Sequence, residues 1–123
     1  MKQILLIALI MLTFGAAKAQ IGEVKVKNGY AMIYDEDGKF TQKSISLGKN
    51  DELNGYNGKY IVITKNGYAM IYDNTGRFTQ KSISLSGDAY VKNVTNSAIL
   101  IAKNGYTMYY DFDGKFTQKS TRN

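Results

Sequence analysis

Three short clusters carry residue types suited to holding a polar ligand: Lys27, Asn28 and Tyr30; Lys65, Asn66 and Tyr68; Lys103, Asn104 and Tyr106. A tyrosine ring offers an apolar face to a sugar and a hydroxyl at its tip. An asparagine amide both donates and accepts hydrogen bonds, and a lysine ammonium adds a point charge. The clusters recur every 38 residues, so one chain would present the same group three times. Each also flanks an Asn-Gly step. Cross-strand pairing of tyrosine with lysine is therefore the competing explanation for their presence.

Other chemistry is poorly supplied. The chain has no histidine and no cysteine, which removes the usual nucleophile–base pairs, thiolate metal sites and disulfides. Ser44, Ser82 and Ser120 occupy one place in every copy, whereas a catalytic serine sits once in an asymmetric setting; they read as strand residues. Asp51-Glu52 is the only adjacent acidic pair outside the repeated unit, and no base supports it. The acidic runs Asp35-Glu36-Asp37 and Asp111 with Asp113 suggest a calcium loop at first sight. The middle copy has Asn74-Thr75 there, and turn formation alone accounts for Asp and Gly. Neither enzyme activity, nor a cofactor, nor a metal is expected.

The clusters open a unit of eighteen residues: KNGYAMIYDEDGKFTQKS from Lys27, KNGYAMIYDNTGRFTQKS from Lys65 and KNGYTMYYDFDGKFTQKS from Lys103. Thirteen of its positions are identical in all three copies. A fixed period of this size marks a repeat architecture. Glu23 to Lys27 alternates as a half-buried strand, and Asn28-Gly29 is the signature of a type I′ hairpin turn. Tyr30 to Tyr34 returns, Asp35 to Gly38 turns again, and Phe40 to Leu47 makes an outer strand. In the middle copy a two-residue loop sets Lys65 opposite Tyr68, Ile63 opposite Met70 and Ile61 opposite Tyr72. Ahead of the third copy Ala89 to Val94 supplies a further strand, with a weaker equivalent at Glu52 to Tyr56. The unit is then a four-stranded antiparallel meander.

Both faces of the middle hairpin are apolar, which predicts neighbours on both sides. In the first copy Glu23 and Lys25 stand where the middle copy has Ile61 and Ile63, so that face is expected to meet solvent and cap an array. Tyr34, Tyr72 and Tyr110 fall at core positions. Lys43, Lys81 and Lys119 on the outer strands guard against edge-to-edge pairing.

With strand, hairpin, return strand, Asp-x-x-Gly turn and outer strand in place, AILIAKNGYTMYYDFDGKF (Ala98 to Phe116) resembles one blade of a β-propeller of the six-bladed or quinoprotein type. KNGYAMIYDEDGKF is similar to the short WG-type repeats of bacterial proteins, without the tryptophan that names them. The resemblance implies an all-β fold of three 38-residue propeller-blade-like repeats. Propellers close with four to eight blades, so three blades leave three solutions open. Several chains pool blades in a ring, the repeats close as a β-trefoil, or the sheets stack as an open array.

Residues 1–19 read as a signal peptide: Lys2, an apolar run from Ile4 to Leu12, and Ala17-Lys18-Ala19 as the cleavage pattern. A single all-β repeat domain over 20–123 follows, with repeats at about 23–58, 59–96 and 97–123. Without Lys2 and Lys18 it holds fourteen basic against ten acidic residues, a dispersed balance of +4 that permits weak attraction to acidic polysaccharide, lipid headgroups or nucleic acid and proves none of them; no nucleic-acid partner is expected. No second hydrophobic segment follows, so no transmembrane segment is expected in the mature chain. The expectation is an exported, periplasmic or extracellular, non-catalytic module that binds a glycan or other cell-envelope ligand through its repeated clusters. The alternative is a structural module that forms a homo-oligomer or completes a β-ring with other chains.

Overall fold

The computed structural model describes residues 20–122. Every regular element among them is a strand: β1 (Ile21–Lys27), β2 (Tyr30–Asp35), β3 (Phe40–Ser46), β4 (Glu52–Tyr56), β5 (Tyr60–Lys65), β6 (Tyr68–Asp73), β7 (Phe78–Ser84), β8 (Tyr90–Val94), β9 (Ile99–Lys103), β10 (Tyr106–Tyr110) and β11 (Phe116–Arg122). They form three separate antiparallel meanders, ordered β1-β2-β3, β4-β5-β6-β7 and β8-β9-β10-β11. No sheet closes, and each draws its strands from one stretch of chain. A β-trefoil needs strands of different repeats joined in one barrel, so that alternative does not describe this fold. Strand pairing places β4 at the head of the second sheet and β8 at the head of the third. The signal-peptide reading falls on residues 1–19, outside the described residues.

Local chemistry explains each meander. Asn28, Asn66 and Asn104 have φ of 54°, 53° and 54°, and the glycines after them 82°, 81° and 82°. Two successive left-handed residues make a type I′ turn, whose twist matches the strands it joins. The register then follows as expected, with Lys65 opposite Tyr68, Ile63 opposite Met70 and Ile61 opposite Tyr72. At the far end of the hairpin the Asp35 carboxylate accepts the N–H groups of Asp37 (2.9 Å) and Lys39 (3.0 Å), and the Gly38 N–H donates to the Asp35 carbonyl (3.0 Å). Asp73 and Asp111 repeat the arrangement. The aspartate thus serves its own turn.

The outer strand opens with a bulge. Tyr34 pairs with Phe40 and Ile33 with Lys43, which leaves Thr41 and Gln42 unopposed, and Gln42 takes φ 66°. The Thr41 hydroxyl donates to the Ile33 carbonyl (2.8 Å) and accepts the Lys43 N–H (3.2 Å). Thr79 and Gln80 repeat this in the second sheet, Gln80 at φ 68°. The third sheet departs from it. There Tyr109 pairs with Gln118 and Met108 with Lys119, a slip of one residue relative to the first two sheets.

The sheets stack, with β1 beside β4 and β4 beside β8. The core lies in two layers. Val24, Ala31, Ile33 and Ile45 of the first sheet pack with Ile61, Ile63 and Tyr72 of the second. On its other face the second sheet packs Val62, Ala69, Ile71 and Ile83 against Ile99 and Ile101 of the third. Both faces of the middle sheet are thus buried, as two apolar faces require. The stacking contact itself repeats. A Cβ on Gly76 would lie 3.1 Å from the Ser44 carbonyl oxygen, and one on Gly114 2.7 Å from that of Ser82. The second and third Asp-x-x-Gly turns therefore sit on the outer strand of the sheet before them. Gly38 meets nothing comparable. Glu23 and Lys25 are exposed on the first sheet's outward face, where Lys25 lies 5.0 Å from the Tyr34 ring centre. Of the three tyrosines assigned to the core, Tyr72 is buried; Tyr34 and Tyr110 are half-buried.

Candidate functional site

The three Lys/Asn/Tyr clusters sit at the Asn-Gly ends of their hairpins. Lys27 pairs with Tyr30, Lys65 with Tyr68 and Lys103 with Tyr106. Each cluster thus occupies the same end of its own meander. Equal sequence does not give them equal surroundings.

In the second sheet the Lys65 ammonium lies 3.1 Å from Asp51 Oδ2, and the same oxygen accepts the Gly48 N–H at 2.6 Å. The connection between the first two sheets thus folds over the rim and takes up the lysine. That Gly48 N–H, and then Lys65 by its hydrogen bond and charge, hold the Asp51 carboxyl below its usual pKa against the upward push of burial. Asp51 belongs to this tie; Glu52 beside it is exposed and begins β4. The Tyr68 ring remains 47% exposed.

In the third sheet the Lys103 ammonium donates to Ser86 Oγ (3.2 Å), and the Asn104 N–H donates to the Asp88 carboxylate (3.2 Å). Here the ring is taken too. A one-residue slip turns a strand's side chains to the opposite face, so Lys119 joins the Met108 side rather than pointing away from it. Its ammonium lies over the Tyr106 ring, 4.2 Å from the centre. Lys43 and Lys81, in the unslipped sheets, pair with Ile33 and Ile71 on the other face.

The first sheet differs from both. Among the described residues no acid or hydroxyl engages the Lys27 ammonium, and the Tyr30 ring is 48% exposed. Lys27, Asn28, Tyr30, Met32 and Ser44 line a shallow hollow of about 260 Å³. That is just under the usual size of a small-molecule pocket. Pairing explains its composition: Lys27 faces Tyr30, Ser44 faces Met32, and Tyr30 and Met32 are two apart on one strand, so the four side chains share a face. The corresponding faces of the other sheets are covered by the sheet before them. The sequence did not single out Met32, and Ser44 read there only as a strand residue. Their outward aspect depends on being in the first copy, which the repeated unit alone does not express.

Among the described residues no group of three or more acidic side chains is gathered as a metal site, and no helix is long and apolar enough to cross a membrane. Compared with known proteins, the chain matches no family model, no curated protein and no solved structure.

Proposed function

We propose that this chain is an exported, non-catalytic binding module whose three sheets act as consecutive propeller-type blades presenting a sugar-binding rim. The observation that carries the reading is the hollow at the first hairpin, where an exposed tyrosine ring, an amide, an ammonium and a hydroxyl converge on one patch. Aromatic face plus hydroxyl-directed polar groups is the combination a glycan or other cell-envelope saccharide requires. The blade reading draws on β4 and β8, the first strands of the two four-stranded sheets, lying beside each other as inner strands would. The test is titration of the chain without residues 1–19 against purified envelope polysaccharide, followed by NMR. Shifts confined to the Asn-Gly hairpins, with Lys27–Tyr30 among them, are expected. No shift at millimolar saccharide would reject the proposal.

A second reading takes its support from Gly38, whose turn has no strand beneath it although Gly76 and Gly114 do. Chains would then join head to tail and complete a β-ring. Sedimentation of the same protein decides: a monomer across micromolar to millimolar concentration removes this reading.

A further inference from the structure

We infer, resting on the saccharide-binding reading above, that the chain holds one principal site rather than three, at the first hairpin, and that its ligand is an acidic sugar. The three clusters have identical residue types and unequal surroundings. In the second, the cation is neutralised by Asp51. The third has its ring covered by Lys119 and its lysine hydrogen-bonded to Ser86. Only the first, among the described residues, offers an open ring and an uncommitted ammonium together. The two inter-sheet connections, at 47–51 and 85–89, supply the groups that occupy the second and third lysines.

The ligand's charge follows from the same comparison. Asp51 and Asp88 bring carboxylates to the second and third hairpins, as salt bridge and as acceptor of a backbone N–H. Among the described residues the first hairpin has no such carboxylate, so a ligand carboxylate would meet no competing acid at its ammonium. Lys27 is a compact point charge with three donors, suited to one carboxylate rather than to a planar, bidentate partner. Met32 and the Tyr30 ring give a pyranose an apolar surface, and Ser44 and Asn28 supply hydroxyl-scale hydrogen bonding. A uronate residue of an acidic polysaccharide carries all of these features on one ring.

Calorimetric titration of the 20–123 chain with a galacturonate oligosaccharide, and with a neutral glucose oligosaccharide of equal length, tests this. The expected result is one site per chain for the acidic sugar, weakened by added salt. Lys27→Ala should weaken it about three- to fivefold, the scale of an exposed charge pair, and Tyr30→Ala about tenfold. Lys65→Ala and Lys103→Ala should change it less than twofold. Both Lys27 and Tyr30 are exposed, so the variants should keep the urea midpoint of the unmodified chain, which separates lost binding from lost folding. Three sites per chain, equal losses from Lys27→Ala and Lys65→Ala, or equal affinity for the neutral sugar would overturn the inference while leaving the binding module standing. Failure of both sugars, with no shifts from envelope polysaccharide, would overturn the module reading and this inference together.

Discussion

The first and middle sheets are built from nearly the same eighteen residues and live in different environments. In the middle sheet Ile61, Ile63, Met70 and Tyr72 are covered by the first sheet, while Val62, Ala69, Ile71 and Ile83 are covered by the third. The first sheet buries one face and turns Glu23, Lys25, Met32 and Tyr34 outward. The difference separates two kinds of constraint. Asn, Gly, Asp and Thr at the turns and bulges recur because each meander needs them whatever lies beside it. Ile63 and Lys25 differ because the neighbour alone decides that position.

Exchange at that position should give the largest effect. Ile63→Lys places an unpaired ammonium in a side fully closed to water and is expected to cost about 4 kcal/mol or more. Lys25→Ile should stay within about 0.5 kcal/mol, since that site is exposed. Urea denaturation measures both, and similar losses would break the contrast between the sheets. A smaller asymmetry is expected from the turn glycines. Gly38→Ala meets only the backbone cost of φ 80°, about 1 kcal/mol. Gly114→Ala adds a 2.7 Å approach to the Ser82 carbonyl and should cost about 3 kcal/mol in total. Equal losses at the two glycines would mean that the sheets do not stack through this contact.

The smallest effect is pH-dependent and belongs to the connection between the compared sheets. Asp51 titrates below its usual value in the folded protein. Its contribution is therefore present above the unfolded carboxylate pKa, near 3.9, and is lost as pH falls through the folded value. Asp51→Asn should lower the urea midpoint at pH 7, and the difference from the unmodified chain should shrink as pH falls below the unfolded carboxylate value. A gap that stays constant down to pH 2 would sever Asp51 from the Lys65 tie.

Much of each meander was legible in the sequence because its determinants are local. Asn66-Gly67 alone fixes the partners of Ile61, Ile63 and Lys65, and Asp73 reaches no further than its own loop for its main-chain donors. Two apolar faces on the middle hairpin and a polar one on the first correctly announced a stack with an end. What escaped was non-local. The Lys65–Asp51 pair joins a strand to a connection with no pattern of its own. The slip that carries Lys119 onto Tyr106 arises in a Phe-Thr-Gln-Lys-Ser run identical in all three copies, so its cause lies outside that run. Three equal clusters in the sequence became three different ones for these two reasons. Gln42 and Gln80 take positive φ at their bulges, a geometry that does not itself demand glutamine.

Every ladder in the three sheets joins strands adjacent in the chain, and no strand waits for a partner from a distant part of the sequence. Loop closure is therefore inexpensive at each step, and contact order is low for an all-β protein. Such a chain should fold faster than a Greek-key sandwich of the same length. Its middle sheet, which has most to gain from both neighbours, would mature last in the order of packing though not of pairing. During synthesis each hairpin can zip as soon as it emerges, so the exposed interval for apolar strands such as Ile61–Ile63 is short.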